Sequence, residues 1–286
     1  MFIVDSQVHL WKEETADRPW LPGARERIKL QGHMLERFTY EECVRRMDEA
    51  GVNRVVIVPP SWEGDRIDYA LEACEKYPHR FGIMARIPQN KPEEAKAMLR
   101  DWKTIPYIKG TRLTFHRPID RNWMIDGTCD WYWPFAEQHG IKTMVNTPIW
   151  KAEIGAIAKK HPKLTIICDQ MGVMSRTVDD AIGFWVEETA DLCVHPNIYV
   201  KLCSLPAYST HPYPYHNLTK YVRLMVDKMG PKRCFWGSDL TRLLHRGITY
   251  KDTVDHFTKH MGFTGQELEW IMGRGICECL DWPIDE

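Results

Sequence analysis

The chain of 286 residues contains no G-x-G-x-x-G, so nothing in it predicts the phosphate-cradling turn of a dinucleotide-binding sheet. It has no apolar stretch near the roughly 20 residues that a membrane helix needs. Blocks of like charge are missing too: 38 Lys and Arg against 39 Asp and Glu leave a net charge of -1, spread along the chain. That removes the electrostatic case for nucleic acid or an anionic membrane and points to a small molecule as partner. No internal repeat or low-complexity segment is present. The nine cysteines make an odd set, several inside apolar runs such as Ile166-Ile167-Cys168, as reduced, buried thiols do in a cytosolic enzyme. Cys277 and Cys279 have no second pair to complete a zinc site. No basic region followed by an apolar stretch opens the chain, and the expectation is a soluble cytoplasmic protein, monomer or homo-oligomer.

What is present is an alternation. Short β-branched runs at residues 2–4, 55–58, 81–87, 107–113, 142–145, 164–168, 197–202 and 233–236 alternate with longer segments of helical period. Helices are predicted over 67–77, 92–102, 131–139, 151–160, 178–193, 218–229, 250–260 and 265–272, and another carries Cys43, Val44, Met47 and Ala50 on one face before Gly51. Thr264 with Glu267 three residues later reads as a capping box. Eight strands with crossover helices predict an α/β protein, a single-domain (β/α)8 barrel over residues 1–286, close to the roughly 250 residues such a barrel takes. Residues 11–37 lack a periodic pattern, and 208–216 hold three prolines and three tyrosines; both are candidate rims or lids.

Barrel chemistry sits at the carboxyl ends of strands. Residues at or just beyond the end of these runs are Gln7 and His9 (strand one), Arg112, His116 and Arg117 (four), Asn146 (five), Asp169 and Gln170 (six), Lys201 (seven), and Ser238 and Asp239 (eight). Singly each is as well explained by strand packing or an ion pair; their convergence on one end is the argument.

Several stretches resemble the second amidohydrolase family, in the branch of pyrone dicarboxylate and sugar lactonases. Asp5-Ser6-Gln7-Val8-His9-Leu10-Trp11 and Arg18-Pro19-Trp20-Leu21 are similar to its D-x-H-x-H-x-W and Y-P-W-L. Gly110-Thr111-Arg112 is similar to its G-x-R, and Cys168-Asp169-Gln170-Met171-Gly172 to its L-D-H-x-G. Pro196-Asn197-Ile198-Tyr199-Val200-Lys201-Leu202 is similar to P-N-V-x-V-K-L, and Phe235-Trp236-Gly237-Ser238-Asp239 to M-F-G-S-D. The departures are chemical: Gln7 and Gln170 stand where the family has histidines, and Asn146 where metal-binding relatives have His or a modified Lys. Only His9 and Asp239 remain as ligands, too few for a transition metal.

The resemblance implies a metal-independent hydrolase that opens a lactone or activated ester of a small, carboxylated metabolite. Asp239 would act as general base on water, His9 would polarise the carbonyl, and the amides of Gln7 and Gln170 would donate to the oxyanion. Arg112 would bind a carboxylate, with a strand-to-strand ion pair as its equal alternative, and His116, Arg117, Asn146 and Arg242 would help. Trp11 and Tyr208 are further candidates for substrate contact; Trp11, Trp20 and Trp62 also suit plain rim packing. The rivals are a decarboxylase of aromatic or unsaturated acids with one divalent metal such as zinc on His9 and Asp239, and a non-catalytic metabolite-binding barrel.

Overall fold

The computed structural model describes residues 1–102, 104–115 and 117–284. Eight parallel strands follow one another around a nearly closed barrel in sequence order: β1 Val4–Val8, β2 Arg54–Ile57, β3 Phe81–Ala85, β4 Ile108–Thr114, β5 Thr143–Asn146, β6 Ile166–Cys168, β7 Ile198–Cys203 and β8 Cys234–Gly237. Helices α1 Ala24–Gln31, α2 Tyr40–Ala50, α3 Asp68–Lys76, α4 Pro92–Trp102, α5 Tyr132–His139, α6 Lys151–Lys160, α7 Gly183–Ala190, α8 Thr219–Met229, α9 Tyr250–Asp255, α10 Gly265–Glu269 and α11 Gly275–Cys279 carry the crossovers and the end of the chain.

Local chemistry sets these boundaries. Thr39 accepts the Glu42 N–H to start α2, and left-handed Gly51 ends it. Thr249 with Asp252 and Thr264 with Glu267 both make reciprocal capping boxes. The predicted helix over 178–193 is shorter, α7 alone, flanked by single tighter turns. Residues 11–37, read as a loop, contain α1, set between left-handed Gly23 and Gly32. None of the described helices is long and apolar enough to cross a membrane.

Strand one begins at Val4 and continues to Val8, so Gln7 lies within it rather than beyond it. The β1–β2 register slips between Asp5 and Val8. On a regular strand Asp5 and Gln7 would share a face. Here Asp5 bonds Tyr250 of the helical layer at 2.6 Å, whereas Gln7 bonds Lys201 of β7. The irregularity thus turns Gln7 and His9 towards the barrel axis. Val4, Val56, Met84, Met144, Ile167 and Phe235 fill the interior, closed at the far end by Ile276, Cys277, Leu280 and Trp282. The larger apolar layer lies between strands and helices.

The seam between β1 and β8 closes with the Asp239 N–H donating to Gln7 O and the Ser238 N–H to Asp5 Oδ1, each at 2.9 Å. A Cβ on Gly237 would lie 2.7 Å from Ser6 Oγ and 3.0 Å from Cys203 Cβ, so only glycine admits this approach.

Candidate active site

Asp239 follows β8 with φ 53°, Ser204 follows β7 with φ 63°, and Gln170 follows β6 with φ 55°. Three non-glycine residues in the left-handed region at three neighbouring strand ends is a costly backbone choice that the surrounding packing must hold. It converges their side chains: Asp239 Oδ2 accepts from Ser204 Oγ at 2.6 Å and from Gln170 Nε2 at 2.9 Å. Asp239 Oδ1 is buried with no hydrogen-bond partner among the described residues and lies 3.5 Å from His9 Nε2. Burial pushes the Asp239 carboxyl up, but the His33 and His9 rings, Arg242 and the Ser204 hydroxyl outweigh it, and the group stays well below the ordinary carboxylate range. Burial is also the main influence on His9, which it lowers to about 4, and on His33, which falls well below 6.5. Both rings are neutral at pH 7.

His33 escaped the sequence reading because it lies on no strand end. It follows α1, and its place is set by Thr241, whose Oγ1 meets His33 Nδ1 at 2.9 Å and whose carbonyl accepts the Met34 N–H at 3.0 Å. Its ring stands edge-on to His9, centroids 5.1 Å apart. The only hint in the sequence was the long, flagged segment in which it falls.

Beneath the cavity floor runs a buried polar chain. Asp169 takes Arg112 Nε at 2.7 Å and Lys201 Nζ at 2.7 Å. Burial raises the Asp169 carboxyl, but Lys201 and Arg112 bring it below its ordinary value. Lys201 bonds on to Gln7 Oε1, and Gln7 Nε2 meets His9 Nε2 at 3.0 Å. His9 Nδ1 lies 2.6 Å from Val58 O, so that nitrogen carries the proton and Nε2 accepts. His9 as placed has no hydrogen to donate to a carbonyl, which corrects the polarising role expected of it. The Gln170 amide likewise spends both N–H groups on Asp239 and Ser204, and Gln7 spends one of its two on His9.

Above these residues opens a cavity of about 270 Å³. Among the described residues its wall carries six arginines, Arg27, Arg86, Arg112, Arg117, Arg176 and Arg242, and no carboxylate. Arg117 is tied to Asp120 at 2.5 Å, and Arg242 Nη1 lies 3.6 Å from Asp239 Oδ2. Arg86 hydrogen-bonds neutral acceptors, Pro59 O at 2.8 Å and Thr114 Oγ1 at 3.0 Å. Burial, then Arg112 and Arg117, lower its guanidinium to about 9. Arg86 was missed because strand three was predicted to 87 and ends at Ala85.

The structure thus brings His9, Gln170, Arg112, Arg117, Asn146 and Arg242 to one cavity, with Asp239 and Gln7 buried just behind His9 and Gln170. Arg112 both lines the wall and pairs with Asp169, so neither alternative reading of it excludes the other. Two candidates stand further back. Trp11 is fully buried, edge-on to Trp62 at 5.1 Å, and it is Trp62 that lines the cavity. Tyr208 is buried with Arg242 over its ring at 5.6 Å. Both support wall residues instead of forming the wall. His116 lies outside the described residues.

The barrel, its strand-end polar cluster and its cavity define an α/β-barrel enzyme. The family model described as Amidohydrolase matches residues 4–275, and the chain belongs to that family. It is 23% identical over 278 residues to an L-fucono-1,5-lactonase of Burkholderia ambifaria, with 94% of this chain and 86% of the relative covered. It is 26% identical over 213 residues to a 4-sulfomuconolactone hydrolase of Hydrogenophaga intermedia, covering 70% of this chain and 64% of the relative. Its fold is similar to that of an amidohydrolase of Burkholderia multivorans solved with bound zinc, at TM-score 0.80 and 15% identity, over 99% of this chain and 100% of the other. The chain is accordingly an enzyme of the amidohydrolase family.

A metal in such a fold needs three or four lone pairs aimed at one point. Among the described residues His9, His33 and Asp239 could supply them, with one ligand atom from each within 4.8 Å of the others. The count from sequence, which stopped at His9 and Asp239, therefore rises to three. Yet the lone pair on His9 Nε2 already accepts from Gln7, and both glutamine amides turn N–H groups towards the centre. As the side chains stand, the set does not fit a transition-metal centre.

Proposed function

We propose that the enzyme opens the ring ester of a small carboxylated lactone by attack of a water held at Asp239, without a metal. The observation that carries this reading is the buried Asp239 Oδ1, unpartnered among the described residues, beside a cavity wall whose described residues include six arginines and no carboxylate. A carboxylate with one oxygen saturated by Ser204 and Gln170 has a single direction left in which to accept a proton. The water's proton passes to Oδ1 as its oxygen bonds to the ester carbonyl carbon. The negative charge collects on the former carbonyl oxygen, within reach of Arg112 and Arg242 on the wall. As that charge returns, the ring C–O bond breaks, and the leaving alkoxide takes the proton back from Asp239. The product is a hydroxy acid, with atoms and charge balanced.

Arg86, buried on the wall with neutral acceptors on its hydrogen-bonding edges among the described residues, is a cation placed to hold the substrate's own carboxylate. The lactone substrates named for the two relatives support the reaction class. The test is a panel of carboxylated lactones beside their uncharged counterparts, with acid release followed at constant pH. Turnover confined to the carboxylated members supports the reading; equal turnover of both removes the arginine argument.

The approach of His9, His33 and Asp239 favours a second reading, a metal-dependent decarboxylase of aromatic or unsaturated acids. It requires Gln7 to give up its bond to His9. Carbon dioxide release that appears with manganese or zinc and disappears on chelation would put this reading first. A barrel that only binds a metabolite would turn over none of these compounds.

A further inference from the structure

We infer that Lys201 is a positioning residue that acts through Gln7: it holds His9 as the Nδ1–H tautomer and closes the site to a divalent cation. The inference deepens the metal-free reading above and rests on it for its catalytic consequence, though not for its geometry.

The argument follows donors and acceptors along one chain of contacts. Lys201 is fully buried on β7, where an ammonium has three hydrogens to place and can only donate. It donates to the amide of Gln7 and, at 3.3 Å each, to Ser6 O and Met144 Sδ, and its charge is paired with Asp169 at 2.7 Å. Because Nζ cannot accept, the Gln7 atom facing it must be the carbonyl oxygen, whatever the usual ambiguity of amide orientation. The NH2 is therefore turned to His9 Nε2, 3.0 Å away. At the other edge of the imidazole, Val58 O can only accept, so Nδ1 bears the hydrogen. Both ends of the ring are set, one directly by backbone and one at second hand by a buried cation.

The consequence bears on the substitution of glutamine for histidine at position 7. A free glutamine could turn its carbonyl to a cation; this one cannot without facing its NH2 to an ammonium. Lys201 thus supplies a fixed positive charge below the floor, and the Nε2 lone pair of His9 stays engaged by Gln7 beside Asp239 Oδ1. With that lone pair taken and no hydrogen on Nε2 to donate to it, Asp239 Oδ1, 3.5 Å away, is left to accept a hydrogen of the attacking water.

The test is a tautomer measurement on the resting full-length protein, which needs no substrate and so stands apart from whether lactones are turned over. With ¹⁵N-labelled histidine, long-range ¹H–¹⁵N spectra at neutral pH should show His9, assigned as the signal lost in His9→Asn, protonated at Nδ1 alone. Zinc added in slight excess should leave that signal in place. In Lys201→Met the single tautomer should give way to a mixture. The kcat on the best lactone should then fall at least about 10-fold with KM nearly unchanged, since a mis-set imidazole tautomer acts on the chemical step. Gln7→Glu, which keeps the acceptor for Lys201 and removes the donor to His9, should place a proton on Nε2 even if Lys201→Met fails to fold. A wild-type His9 carrying its proton on Nε2, a His9 signal displaced by zinc, or a Lys201→Met spectrum identical to wild type would each overturn the inference.

Discussion

Asp239 Oδ1 is a buried carboxylate oxygen with no donor among the described residues, beside two buried imidazoles and 3.5 Å from one of them. Such an atom is costly to keep unless something it binds repays the cost. Replacing it tests that directly. Asp239→Asn should reduce kcat on a carboxylated lactone by about 10²–10⁴-fold, the range general-base removal gives, with KM little changed. Arg86→Met should act oppositely, raising KM about 10-fold to 100-fold for a charged substrate, as loss of a charge-assisted hydrogen bond would, and leaving uncharged esters unaffected. Steady-state kinetics on matched charged and uncharged lactones separate the two. At this scale the sequence was only half legible. Asp239, His9 and Gln170 could be placed because a strand end is a position that pattern reveals. His33 could not, because its place depends on Thr241, 208 residues away. Arg86 was hidden by a strand boundary drawn two residues too far. The donor and acceptor directions that deny His9 a polarising hydrogen come from Val58 and Lys201, which no spacing along β1 could disclose.

The decisive element is the seam of β1 and β8. The register slip in β1 turns Gln7 inward, and the β8 end places Asp239 with its N–H on Gln7 O. Gly237 makes the approach possible. Gly237→Ala should cost about 1–3 kcal/mol, as overpacking does, and lower Tm by several degrees. A thermal unfolding curve checks it, and an unchanged midpoint would mean that the seam relaxes freely. Lid and rim elements were harder to read than strands. Helix α1 has only Ala24 and Ile28 buried, so its short, mostly polar surface showed no helical period in the sequence. The eight strands, by contrast, sit between the barrel interior and the helical layer, and their near-continuous apolar runs reported their positions to within a few residues.

Across the whole molecule, acid stability offers a check away from the site. His256 is buried, its two ring nitrogens have no hydrogen-bond partner among the described residues, and Tyr215 stands edge-on to it at 5.4 Å. Burial, aided by His260 and His216, lowers it from 6.5 to about 4. The folded state therefore binds the proton later than the unfolded chain does. Its contribution to stability is intact above about pH 6.5 and is lost as pH falls towards 4, by a total on the order of 3 kcal/mol. His256→Phe should remove that part of the slope, and denaturant unfolding at pH 7 and pH 4.5 would show it as a smaller gap between the two midpoints than in the wild type. The barrel was legible because it is a property of the whole pattern: eight apolar runs in alternation with crossover helices admit few other arrangements.

One measurement bears on the account most directly. The enzyme is dialysed against a strong chelator, its metal content is determined on the same sample, and hydrolysis of a carboxylated lactone is followed before and after. Full activity at a metal content far below one equivalent, absent in Asp239→Asn, is the predicted result. Activity that falls with the metal and returns with added zinc or manganese would contradict it, making His9, His33 and Asp239 ligands and Gln7 a mobile neighbour.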